Sequence, residues 1–293
     1  MNLLGILLGL FSALNEASLN TVVNSYKAKY SAILMGFAQL LLLLPFTVAA
    51  LFFLELPAFS WSLFLYLGIF AILNVLGRVL YIKSIHLSGL AKTVPFLSFT
   101  PIFLIFVGFV VLGEVPGIFG LAGILLIAIG AYVISCNKVG ESLIQVLKNI
   151  GREKGTLLII LTAFVWSLTS SFGKKAVLLS SSSFFFVMAI NLQFILFFFL
   201  NWKATGLKKT VYHIKNDIRF FLLVSLFLGL MEISIFTAYG LTKITYAISM
   251  KRTAILFSVI FGYIFFKEKG IKKNIVAALI MISGVILIVM LGK

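Results

Sequence analysis

A single cysteine, Cys136, occurs in the 293 residues, so neither an internal disulfide nor a cysteine metal cluster can form. Histidine is almost as scarce. His86 and His213 lie far apart and close to connecting segments, which reads as solvated or interfacial placement rather than a metal site. Asp and Glu together number 8, and only one of them, Asp217, is an aspartate. A membrane-embedded enzyme such as a lipid-modifying transferase needs several carboxylates or histidines converging at an interface. Their shortage argues against catalysis, and neither a metal nor a cofactor is expected. A basic run ahead of the first apolar segment is also missing, and Asn15 and Glu16 interrupt that segment. It therefore does not read as a cleavable leader and is expected to be kept as a span.

Apolar residues are what the chain has in abundance. They make up 62% of it, the mean hydropathy is +1.18, and soluble domains hold roughly half. A helix needs about 20 largely apolar residues to cross the hydrocarbon. Such runs fall at 2–22, 31–54, 62–84, 93–112, 116–136, 156–178, 183–201, 219–241, 245–266 and 273–291. They are too long and too uniformly apolar for the alternating strands of a membrane barrel. The expected fold is therefore all-α, with ten transmembrane helices. The net charge of +16 is spread over connectors, where lysines contact anionic headgroups, and no nucleic-acid partner is expected.

The chain is also written twice. At an offset of 154, residues 1–139 lie over 155–293, with 140–154 as connector; Gln39 falls on Gln193, Gly108 on Gly262, Glu114 on Glu268 and Gly130 on Gly284. Five spans per copy is an odd number, so the second copy enters from the opposite side. The copies are then inverted repeats, and equivalent residues can meet near mid-membrane. Two connectors are long, 137–155 and 202–218, and Leu143, Ile144, Leu147 and Ile150 in the first suggest a short interfacial helix. Lys27, Lys29, Lys148, Lys208, Lys209, Lys215, Lys272 and Lys273 all fall on one set of connectors, which taken literally places both termini away from the cytoplasm.

Charges inside a span cost about 2.5–3.5 kcal/mol on insertion scales, so they face the bundle interior or a wet cavity. Gly5, Gly9, Ser12, Glu16 and Asn20 share one face of the first span. The glycine spacing allows close helix approach, and the Glu16 carboxylate can exchange a proton for a substrate cation; the alternative is a structural carboxylate bonded to a neighbouring helix. Arg78 and Glu232 are equivalent positions of opposite charge, with Asn74 and Tyr239 on their respective faces. They suit the two ends of a zwitterion, or form a buried salt bridge between the halves. Lys251 and Arg252 are adjacent and diverge by about 100°. Arg252 is expected to face the cavity while Lys251 snorkels to the headgroups, although an interfacial role for both is equally open. Gln39 and Gln193 read as interhelical hydrogen-bonding groups. Glu114 and Glu268 read as structural carboxylates facing the positive N-terminus of the following helix.

These residues together resemble the EamA-type ten-helix transporters of the drug/metabolite transporter superfamily, over essentially the whole chain. Phe11-Ser12-Ala13-Leu14-Asn15-Glu16 is similar to the family's opening helix, and Ala163-Phe164-Val165-Trp166-Ser167 to the aromatic form of that motif. Gly113-Glu114 matches the Gly-Glu end of the fourth helix, and Lys267-Glu268 matches it with the glycine lost. The resemblance implies a helical bundle with a central cavity, alternating access and cytoplasmic termini, the last at odds with the lysine distribution. Glu16 also resembles, in its place in the first helix, the proton-exchanging glutamate of the related small multidrug resistance transporters. The function expected is secondary active transport, most simply export, of a small polar or zwitterionic metabolite such as an amino acid, with protons as the coupling ion and a prokaryotic cytoplasmic membrane as location. A lipid flippase of the same fold is the alternative.

Overall fold

The computed structural model describes residues 2–26, 30–88, 94–135, 153–266 and 271–291. Among these the secondary structure is entirely helical. The elements are α1 (Leu3–Tyr26), α2 (Ala32–Ala50), α3 (Trp61–Ser88), a 3₁₀ segment (Val94–Phe99), α4 (Thr100–Leu112), α5 (Ile118–Ser135), α6 (Lys154–Leu178) and α7 (Ser182–Ala204). Then follow α8 (Leu207–Asn216), α9 (Ile218–Leu241), α10 (Ile244–Arg252), α11 (Ala254–Phe266) and α12 (Ile271–Leu291).

Local chemistry explains several ends. Ser31 and Ser181 sit in extended backbone, and their hydroxyls accept from Leu34 N at 3.3 Å and Phe184 N at 3.1 Å, capping α2 and α7. Gly113 terminates α4 with φ of 70°. Its N–H bonds Phe109 O at 2.9 Å, the single 5→1 bond of a left-handed stop, and Glu114 N reaches Gly108 O at 3.2 Å. Gly113 is what lets Glu114 turn back across the end of the bundle.

Among the described residues, seven stretches are long and apolar enough to cross a membrane: Leu3–Val23, Ile33–Ala50, Trp61–Tyr81, Lys154–Leu178, Ser182–Ala204, Ile218–Leu241 and Ile244–Phe265. Three shorter apolar stretches, Phe96–Leu112, Ile118–Val133 and Val276–Leu291, fall within the other three expected runs. Two of the expected spans are not single helices. The run 93–112 divides into the 3₁₀ segment and α4, and the run 245–266 divides into α10 and α11 at Thr253. The connector 202–218 carries α8, whose Thr210 and Ile214 are buried while Lys208, Lys209 and Lys215 are exposed. The interfacial helix expected at Leu143–Ile150 lies outside the described residues, as do Cys136, Lys27, Lys29, Lys148 and Glu268. The side chains of His86, Lys272 and Lys273 lie outside them too. His213, expected to be solvated, is half-buried, with its ring against Tyr30 at 5.5 Å; the Tyr30 hydroxyl donates to the Asp217 carboxylate.

Contacts between helices repeat with the copies exchanged. α1 packs on α9 as α6 packs on α3; α1 touches α10 and α11 as α6 touches the 3₁₀ segment and α4. Helices α2 and α7 pair with each other, and so do α5 and α12. The small-residue face of α1 does what its spacing implies. A methyl group on Gly5 would meet Leu241 Cβ at 3.0 Å, and one on Gly9 would meet Met250 Cβ at 2.8 Å. Ser12 donates to Met231 O at 3.0 Å on α9. In the second copy the residue equivalent to Ser12 is Trp166, and its indole fills the space over Gly77, the residue equivalent to Met231.

Candidate functional site

Both broken spans break at the same place in their repeats. At the offset of 154, Phe99-Thr100 corresponds to Thr253-Ala254. In the first copy the 3₁₀ turn becomes α-helical at Thr100, where Pro101 occupies the first turn and its missing N–H is tolerated. In the second copy α10 stops at Arg252 and α11 starts at Ala254. A threonine hydroxyl bonds the carbonyl three residues back at each break: Thr100 Oγ1 donates to Leu97 O at 2.8 Å, and Thr253 Oγ1 to Met250 O at 2.7 Å. The two breaks touch, because Arg252 Nη2 donates to Thr100 Oγ1 at 3.2 Å. Interrupted helices at matching positions of two halves are a recurrent way of exposing polar groups inside a membrane bundle.

A layer of charged side chains surrounds this meeting point. Arg78 on α3 faces Glu232 on α9, Nη2 to Oε1 at 3.6 Å, with the Glu232 side chain 8% exposed. Arg78 Nε donates to Asn74 Oδ1 at 3.2 Å, so Asn74 fixes the guanidinium from one turn away. Glu16 on α1 faces Lys251 on α10, Oε2 to Nζ at 3.8 Å. That is an ion pair but too long for a hydrogen bond, and Glu16 Oε2 is buried without a hydrogen-bond partner. Arg252 is 7% exposed and lies 5.9 Å from the Trp166 ring. Tyr81 packs on Trp166 with centroids 5.6 Å apart. Tyr239 is buried against Phe236, close to Ser170, and lies within electrostatic reach of Glu232 and Arg252.

Most of the residues singled out from sequence therefore converge: Glu16, Asn74, Arg78, Glu232, Tyr239 and Arg252. Asn20 does not, since it is exposed at the far end of the α1 stripe. Lys251 differs from expectation. It points inward to Glu16 instead of reaching headgroups, because α10 is enclosed by α1 on one side and by α4 and α5 on the other. Gln193 is buried, but its amide donates to Ala189 O at 3.1 Å on its own helix, so it is not an interhelical bond; Gln39 is buried on α2. Trp166, Tyr81, Thr100 and Lys251 were missed as members of the layer. Thr100-Pro101 was the available signal, since proline inside an apolar run marks a break.

Glu114 does face a helix N-terminus, but not that of the helix that follows it. Its Oε2 accepts from Ile244 N at 2.7 Å, at the start of α10 in the other copy. Its other oxygen pairs with Lys174 of α6, whose Nζ also donates to Thr242 O at 2.5 Å. Lys243 Nζ donates to Val115 O at 2.8 Å, and Gly117 N donates to the Tyr246 hydroxyl at 3.2 Å. The turn after α4 is thereby fastened to the turn before α10, and this end of the bundle is closed.

Trp166 can be tested directly. A methyl group at Gly77 would meet Trp166 Cδ1 at 2.6 Å. Gly77→Ala is expected to push the indole off Tyr81 and Arg252 and to destabilise the fold by about 1–3 kcal/mol. A tryptophan emission spectrum unchanged from wild type would contradict that placement.

Comparison with known proteins agrees with this architecture. Among the matching solved structures, one described only as a crystal structure of a protein superposes with a TM-score of 0.73. It covers 98% of this chain and 99% of its own at 14% identity, a likeness of fold. No curated protein matches the sequence. The sequence model of the EamA-like transporter family matches residues 3–136 and again 153–290. The apolar helices and this double match make the protein a multi-pass integral membrane protein built from two repeats. The chain belongs to the EamA-like transporter family.

Proposed function

We infer that the protein exports a small zwitterionic metabolite, such as an amino acid, by alternating access between two inverted five-helix halves. The reading takes the seven long and three shorter apolar stretches as ten crossings, with repeats at 1–139 and 155–293 joined by 140–154, in a prokaryotic cytoplasmic membrane. The observation that carries it is the buried layer where the two broken spans touch, with Arg78 and Glu232 paired across the halves. A scaffold gains nothing from burying these charges, because insertion of each is costly. A transporter uses them, since groups paired in one state become available in another.

The closed end formed by Glu114, Lys174 and Lys243 supports one half of such a cycle. Rocking the halves breaks those contacts and opens that end. Glu16, held at 3.8 Å from Lys251 and not hydrogen-bonded, is placed to take a proton in exchange for substrate. Its equivalent in the second copy is Ser170, so this step belongs to one half alone.

The test is uptake and efflux of labelled amino acids in proteoliposomes. Glu232→Gln and Arg78→Ala are each expected to abolish transport while leaving the purified protein folded, as judged by circular dichroism. Wild-type rates in both variants would remove the layer from the mechanism.

A further inference from the structure

The charged layer is not balanced. Among the described residues, Arg78, Lys251 and Arg252 face only two carboxylates, Glu16 and Glu232. Two of the cations have a carboxylate at ion-pair distance: Arg78 at 3.6 Å from Glu232, and Lys251 at 3.8 Å from Glu16. Arg252 does not. Its surroundings are the Thr100 hydroxyl, the Trp166 face and the more distant charge of Glu16. Arg252 Nε is buried and has no hydrogen-bond partner.

A buried guanidinium with an idle N–H and no counter-ion is costly, even with an aromatic face beside it. It sits where the two helix breaks meet, beside backbone that is not in regular helix. Guanidinium N–H groups form a planar fork that matches a carboxylate in two parallel bonds. The free Nε and the Nη2 that now holds Thr100 are the two donors of one edge of that fork. A carboxylate there would satisfy the idle Nε, and its negative charge would neutralise the excess.

The geometry points to Arg252 as the subsite for the substrate's carboxylate, and makes that carboxylate obligatory for binding while the ammonium group is not. This assignment rests on the transport reading above and narrows it. Arg78 and Glu232 already neutralise one another as an ion pair, so they join the two halves in this state and do not hold the substrate's ends. Simple amines, polyamines and quaternary ammonium compounds are excluded, because each would add positive charge to a layer already in excess.

The experiment is a binding series on the purified full-length protein, by thermal shift and then calorimetry. The proteinogenic L-amino acids are screened, and the best binder is compared with its decarboxylated amine and its deaminated acid; for leucine these are 3-methylbutylamine and 4-methylpentanoate. The amino acid and the acid are expected to bind, and the amine to bind at least about tenfold more weakly, as losing a partner for a desolvated charge does. Arg252→Gln is expected to weaken amino acid and acid together by at least about tenfold, with Arg252→Lys between it and wild type. The wild-type comparison of acid and amine stands even if a variant fails to fold. An amine that binds as well as the acid, or an Arg252→Gln protein that binds the amino acid like wild type, overturns the subsite. If no amino acid, amine or acid binds at all, it is the zwitterion reading of the substrate that fails, and the subsite with it.

Discussion

Glu114→Ala is expected to destabilise the protein by about 3–5 kcal/mol, the loss typical when one member of a buried ion pair is removed. Three connections end on or beside this carboxylate. It accepts the Ile244 N–H at 2.7 Å, it pairs with Lys174, and Lys174 in turn donates to Thr242 O at 2.5 Å. Alanine would leave the Lys174 ammonium, whose side chain is 7% exposed, without its counter-ion, and the Ile244 N–H without its acceptor. Lys174→Met should cost less, because Glu114 keeps the helix N-terminus and its side chain is 19% exposed. The double variant Glu114→Gln with Lys174→Met should recover part of the loss, since the glutamine oxygen can still accept from Ile244 and no charge remains unpaired. Thermal unfolding of the detergent-solubilised protein reads all three. A Glu114→Ala midpoint within about 2 °C of wild type would mean that the closed end does not hold the fold together.

Gly123→Leu is expected to yield no folded protein. Helices α5 and α12 cross so closely that a methyl group on Gly123 would lie 2.6 Å from Gly284 O and 3.3 Å from Ile288 N. The contact is reciprocal: a methyl group on Gly284 would lie 2.6 Å from Gly123 O and 3.0 Å from Ile127 N. These are backbone atoms, which cannot rotate aside as a side chain can. Between apolar helices in lipid there is little hydrophobic gain from association, so close packing at small residues is what joins them. Gly123→Ala alone should cost about 1–3 kcal/mol by overpacking. Gly68 is the control, since nothing lies within 4 Å of a methyl group placed there. Gly68→Ala should be neutral, or stabilising by up to about 1 kcal/mol through helix propensity. Equal unfolding midpoints for Gly123→Ala and Gly68→Ala would show that α5 and α12 do not meet as described.

Much of the fold was legible because lipid imposes a simple rule. Every backbone group must be satisfied within the segment, so a long apolar run becomes a helix. Counting such runs and aligning the copies placed Arg78 and Glu232 at one level, and the structure brings them to 3.6 Å. The α1 stripe was legible for the same reason: helical period alone puts Gly5, Gly9, Ser12 and Glu16 on one side. Gln193 was not, because an amide within a span has its own helix's carbonyls as close competitors for any partner across the interface. Lys251 was not either. Snorkelling depends on whether the path to the headgroups is open, and only the positions of α1, α4 and α5 around α10 close it.

By itself the sequence determined that this is a helical membrane protein made of two copies of one unit, and which positions carry charge inside it. Composition and period suffice for that, since they act along one chain and in one solvent. The tertiary structure alone decided who faces whom. It turned Glu114 from the next helix to one in the other copy, gave Glu16 an ion-pair partner in Lys251, and left Arg252 with no carboxylate at ion-pair distance and its Nε without a hydrogen-bond partner. It also decided that both copies break at the same register. The first break is foreshadowed by Pro101, but the second has only Thr253 and Ala254. A helix yields there because of what is packed around it, and no local residue pattern records that packing.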